Sequence, residues 1–72
     1  MKLSEAPIGE YTVHRVYRED KTERRLRVLG IYPGARITLT EIGVGGVRIL
    51  RARGMRLALG RQIASAITVI PR

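Results

Sequence analysis

The first patterned stretch of the chain is Glu10–Tyr17, EYTVHRVY, bounded by Gly9. β-Branched and aromatic residues in such a run predict a first strand. Its apolar anchors Val13 and Val16 are three positions apart, which breaks strict alternation and predicts a bulge or a strong bend between them. DKTERRLRVLG follows, and here the pattern becomes helical. Asp20 is placed to cap a helix, and Glu23, three positions on, completes a capping box. The acids lie at the positive end and Arg24, Arg25 and Arg27 towards the negative end, so the charges oppose the macrodipole. Glu23 and Arg27 stand one turn apart. We expect a helix over about residues 21 to 29, with its arginines on a solvated face.

LGIYPGARI, residues 29 to 37, has two glycines and a proline among apolar residues. With Leu29 as the helix cap, Gly30 takes the left-handed position and Ile31 packs back on Leu26. Pro33 presets the first corner of a turn, and Gly34 supplies the positive φ of a type II second corner. The segment is a helix stop, a turn and a strand start. A phosphate loop would need GxxxxGK[ST] before a helix, a pattern this chain lacks.

From Ala35 to Ile42 the pattern alternates, with Ile37 and Leu39 on one face and Arg36, Thr38 and Thr40 on the other. Gly43–Gly46 closes a hairpin. The return strand VRILRAR sets Leu50 and Ala52 against Arg51 and Arg53, and Gly54 offers a tight turn into RLAL. Gly60 ends that strand. RQIASA is too short for an isolated helix and predicts one helical turn, with Ile63 and Ala64 plugging the core. ITVI, with Ile67 and Val69 on one face, is the last strand, and Pro71 stops it. The expected fold is mainly β: a small five-stranded barrel with one inserted α-helix and a short helical turn before the last strand, formed by residues 1–72 as a single domain.

Composition narrows the function. At 72 residues only roughly 60% of the unfolded chain's surface is buried, so the core is small. There is no Cys, Trp or Phe, which excludes disulfides and thiolate metal sites and rests the core on aliphatic residues. MKLSEAPIGEYTV is interrupted by Glu5 and Glu10 and predicts no signal peptide, and no apolar run approaches a membrane span. A cytoplasmic protein is expected. The net charge is +8, twelve of the fourteen cations are Arg, and residues 42 to 72 carry six arginines and no acid. Such a surface suits a partner with an acidic face.

At this point the residues resemble the ferrous iron transport protein A (FeoA) family across nearly the whole chain. The resemblance is carried by MKLSEAPIGE, RRLRVLGIYPGARITL, GGVRILRARG and MRLALGRQIASAITV in that order. It implies an SH3-like barrel acting as a small accessory of the FeoB ferrous iron permease, through that permease's GTPase-bearing cytoplasmic part, and no enzymatic activity. The family's recurrent positions fall on Leu26, Leu29, Gly30, Pro33, Gly34, Gly54, Leu57, Leu59, Ala64, Ile67 and Val69, which also read as scaffold. Arg48 and Ala52 depart from the more apolar residues expected on that hairpin.

Candidate chemistry is sparse. His14 is the single histidine, whereas a transition-metal site usually takes three or four ligands, so no metal site or cofactor is expected. Ser4 and Ser65 lack a nucleophile elbow. The expected partner-binding residues are Arg51, Arg53 and Arg56, projecting together around the Gly54 turn, with Tyr32 beside Pro33. The alternative is a basic nucleic-acid-binding barrel, against which the three tyrosines count because they lie in the first half of the chain. A third possibility is that the arginines serve only solubility or ion pairing.

Overall fold

Alternation and turn chemistry resolve into five antiparallel strands in the computed structural model, which describes Met1–Arg72. The elements are β1 (Gly9–Val16), α1 (Lys21–Val28), β2 (Arg36–Ile42), β3 (Arg48–Ala52), β4 (Met55–Leu59), α2 (Arg61–Ser65) and β5 (Ile67–Pro71). The strand order is β4-β3-β2-β1-β5. β1 begins and ends one residue earlier than its apolar pattern suggests, because Gly9 already pairs with Leu39 and Tyr17 lies beyond the ladder. Pro71 is the final residue of β5 and pairs with Tyr11 rather than following the strand.

β1 is shared by both wings of the sheet. Gly9–Thr12 pair with β2, while Tyr11–Val16 pair with β5, and the register shifts between Val13 and Arg15. This is the bulge that the three-residue valine spacing predicts, with His14 as the extra residue. A second shift lies between Leu39 and Glu41 in the β2–β3 ladder. Bulges bend the strand and increase its twist. The inward residues Ile37, Leu39, Leu50, Ala52, Leu59, Ile67 and Val69 are thereby brought around one core and are all buried. Fully burying one such aliphatic side chain contributes roughly 1.5–3 kcal/mol.

α1 is capped at both ends. The Asp20 carboxylate accepts the Thr22 N–H at 3.0 Å and an Arg18 N–H at 2.8 Å. The Arg18 hydrogen bond chiefly, helped by the Thr22 N–H and the Arg18 charge, holds the Asp20 carboxyl below its ordinary value of 3.8, although desolvation pushes the other way. Glu23 does not complete the capping box. It accepts from Arg27 at 3.0 Å instead, because a guanidinium one turn away is a stronger donor than the Asp20 N–H. At the other end Gly30 has φ +96°, its N–H donates to the Arg27 carbonyl at 3.1 Å, and the Ile31 N–H donates to the Leu26 carbonyl at 2.7 Å. That pair of bonds is a Schellman stop. Leu26 and Ile31 are both buried in the core. The following turn is closed by the Ala35 N–H on the Tyr32 carbonyl at 2.9 Å, with Gly34 at φ +92°.

The N-terminal segment carries structure that alternation does not reveal. Leu3–Glu5 form a 3-10 turn, and Leu3 and Ala6 are core residues. Arg48 explains why. This arginine is 7% exposed, and its guanidinium donates to the Leu3 carbonyl at 3.0 Å and to the Ser4 carbonyl. Where an apolar residue would only pack, Arg48 ties the N-terminal turn to β3.

Two stability predictions follow from α1. Gly30→Ala should lower stability by about 1 kcal/mol or more in denaturant melts, since the residue is left-handed. The added Cβ would also lie 2.3 Å from Arg53 Cγ, so Arg53 must move. A melt unchanged from wild type would contradict this stop. For Asp20, the depressed folded value means its stabilisation is present above about pH 3.8 and is lost as pH falls through the folded value. Asp20→Asn keeps a capping oxygen without the charge, so the difference in melting temperature between the two proteins should shrink as pH falls through that range.

Candidate partner-binding surface

Strand alternation puts Arg51 on the outer face of β3, where it stands opposite Thr38 of β2 and Arg56 of β4. Like charges directly opposite across a ladder are destabilising. Arg56 is partly offset by Glu41 at 3.2 Å, but both side chains are mostly exposed and such a pair contributes about 0–1 kcal/mol. Arg51 makes no salt bridge. Arg36 is two residues before Thr38 on the same outer face, which places it diagonally beside Arg51. Alternation alone places Arg36 on that face, but only strand register pairs it with Arg51.

Arg53 sits elsewhere than expected. It is a corner of the two-residue turn between the paired Ala52 and Met55, with φ +53° followed by Gly54 at φ +76°. It is therefore not on the strand face with Arg51. Two successive positive φ values match the right-handed twist of a tight hairpin, but they are costly for a residue with a Cβ. A contact at α1 offsets that cost. The Arg53 aliphatic stem lies over Gly30, and its guanidinium donates to the Val28 carbonyl at 3.3 Å. A cation at a helix C-terminus is also favoured by the helix dipole.

This contact joins the β3–β4 hairpin tip to the end of α1. Val28, Met55 and Tyr32 are 71%, 43% and 38% exposed, so apolar surface adjoins the arginines. A shallow groove of about 420 Å³ is lined by Arg24, Arg25, Val28 and Leu29. No strand or turn pattern in the sequence marks that groove. A signal existed: Val28 is two residues from the buried Leu26, and so lies about 200° around the helix, on the opposite face.

The remaining motif residues take scaffold positions. Leu26, Leu59, Ala64, Ile67 and Val69 are buried, Leu29 and Leu57 are half-buried, and Pro33 lies in the turn with Gly34. His14 is exposed on the β1 bulge, and no three His, Asp or Glu side chains converge. Tyr11 and Tyr17 offer no stacking platform beside the arginines of β3 and β4. Tyr11 is buried with its hydroxyl donating to the Pro7 carbonyl at 2.6 Å, and Tyr17 lies under Arg15 at 5.7 Å. The nucleic-acid alternative is not favoured. No helix is long and apolar enough to cross a membrane.

Comparison with known proteins adds the family. A family model described as FeoA domain matches residues 1–71. No curated protein matches the chain. Among solved structures, the FeoA protein of Chlorobium tepidum is 34% identical, with TM-score 0.88 over 99% of this chain and 70% of that one. A FeoA-like protein of Clostridium acetobutylicum is 29% identical, with TM-score 0.83 over 99% of this chain and 85% of that one. Stenotrophomonas maltophilia FeoA, solved in complex with zinc, is 28% identical, with TM-score 0.78 over 97% of this chain and 89% of that one. It is described as a prokaryotic SH3 domain protein with a suggested role as a bacterial ferrous iron transport activating factor. Five antiparallel strands in SH3-like arrangement, the helix stop at Gly30 and a family match over residues 1–71 lead to one conclusion: the chain belongs to the FeoA family.

Proposed function

We propose that this chain is a non-enzymatic, cytoplasmic interaction module that acts on the GTPase-bearing cytoplasmic part of a FeoB-type ferrous iron permease. The observation that carries this reading is the contact of Arg53 with the end of α1, which joins the β3–β4 hairpin tip to exposed Val28, while Arg51 and Arg56 stand paired on the outer face of the same hairpin. Arg, Tyr and Met are enriched where proteins meet, and the charged groups steer an acidic partner into place. Membership of the FeoA family and the activating role suggested for the Stenotrophomonas maltophilia protein support the same reading.

Changing Arg51, Arg53 and Arg56 together to Gln should weaken binding to the permease's cytoplasmic part at least tenfold, about 1.4 kcal/mol. Arg53 also holds the α1 terminus, so a single Arg53→Gln control separates a change in the melt from a change in affinity. A random oligonucleotide provides the contrasting arm. Submicromolar binding to it at physiological salt, falling log-linearly as salt rises, together with no binding to the permease part, would overturn the reading.

The module is further proposed to hold no resident metal, iron being the cargo of the permease. Titrating the monomer with Fe²⁺ or Zn²⁺ should give no one-to-one isotherm tighter than about 1 μM, a free energy near −8 kcal/mol. A tighter stoichiometric site would contradict the proposal.

A further inference from the structure

The two edges of the sheet are finished differently. At β5 the Val69 N–H donates to the Met1 carbonyl at 2.7 Å, the Met1 amino group donates to the Val69 carbonyl at 3.0 Å, and Lys2 bridges Thr68. That edge is covered by the chain itself. β4 is the last strand at the other edge. Its hairpin turn is two residues long, so the closing pair Ala52–Met55 and the alternate pairs Leu50–Leu57 and Arg48–Leu59 carry the ladder bonds. The N–H and C=O groups of Arg56 and Ala58 therefore point outward. Both residues are exposed, and no backbone or side-chain hydrogen bond outside the ladder reaches either backbone. Such an edge is a template for another strand.

The side chains along β4 specify what kind of strand. Met55, Leu57 and Leu59 share one face, running from 43% exposed at Met55 to buried at Leu59. Arg56 and Ala58 share the other face, on which Arg51 stands beside Arg56 without a carboxylate of its own. A second copy of this chain fits poorly. Pairing β4 with β4 would put both Arg51–Arg56 pairs on one small surface and join two chains that each carry +8. An extended segment with acidic residues on one face and apolar residues on the other fits both faces of the edge.

We propose that the β4 edge binds an extended partner segment of alternating acidic and apolar residues by antiparallel strand addition. Main-chain bonds form to Arg56 and Ala58, acidic side chains meet Arg56 and Arg51, and apolar ones cover Met55 and Leu57. In this mode main-chain bonds supply affinity and alternate side chains supply specificity. The inference rests on the reading of the chain as an interaction module and gives its partner a form.

The probe is an acetylated, amidated (Glu-Val)₄ peptide. In the proposed register the glutamates stand opposite Arg56 and Ala58, so the Glu N–H groups face β4 and the Val N–H groups face away. Binding should slow hydrogen exchange at the Arg56 and Ala58 amides at least tenfold. Methylating the Glu nitrogens should weaken binding at least tenfold, whereas methylating the Val nitrogens should change it less than threefold. Equal effects of the two methylations, or no protection at Arg56 and Ala58, would overturn strand addition and leave only charge attraction. Ala58→Pro removes one outward N–H at an edge position where proline is tolerated and should weaken the peptide at least tenfold. If that variant does not fold, the methylated peptides still decide on the wild type. The permease's cytoplasmic part separates this inference from the functional reading. Undiminished binding of that part by folded Ala58→Pro overturns strand addition and leaves the functional reading standing. Peptide binding with the predicted methylation pattern, but no binding of the permease part, upholds the edge site and overturns the functional reading.

Discussion

Two backbone hydrogen bonds at Val13 hold the architecture together. Its N–H donates to the Ala35 carbonyl at 2.8 Å, and its carbonyl accepts the Gly34 N–H at 2.8 Å. Val13 also pairs with Val69 immediately before the register of β1 and β5 shifts. One buried residue thus receives the Pro33–Gly34 turn on one side and the last strand on the other. Local turn chemistry at residues 32–35 and the bend of β1 become one feature, and the barrel closes around it. Were β1 straight, its two halves could not serve β2 and β5 from different directions.

The consequence for function is geometric. α1 is short and buries Leu26 alone, so its position depends on its ends. Its C-terminus is held by the Gly30 stop below and by Arg53 from the β3–β4 turn above. The same contact that seats the helix leaves Val28, Arg24 and Arg25 facing outward beside the hairpin. A residue in a strained hairpin corner is thereby both a helix clamp and part of the exposed basic surface.

Charge is distributed by role. Asp20, Glu23, Glu41 and Glu10 each pair with an arginine, which accounts for four of the six acids. Arg48 is drawn inside and bonded to carbonyls of the N-terminal turn, so its charge is unavailable to a partner. What remains outside without an acid includes Arg51 and Arg36, adjacent on the β2–β3 surface. A net charge of +8 is a property of the chain, but a basic face requires knowing which cations are already engaged.

Local features were legible in the residues. The helix start at Asp20, the stop at Gly30, the Pro33–Gly34 turn, the bulge after Val13 and the inward Ile37, Leu39, Leu50 and Ala52 all follow from interactions within a few positions, where propensity and side-chain period dominate. The resemblance to the FeoA family was legible for the same reason, since its markers are mostly these local devices. Tertiary structure decided whatever depended on partners far along the chain. Arg48 reads as a departure until Leu3 and Ser4, more than forty residues away, offer it their carbonyls. Arg53 reads as a strand residue until Gly30 makes room for its stem, and Arg36 meets Arg51 only through register. A side chain's hydrogen-bond partner and its share of a surface are set by which strands lie side by side, and that is fixed by packing around a common core rather than by any neighbour in sequence.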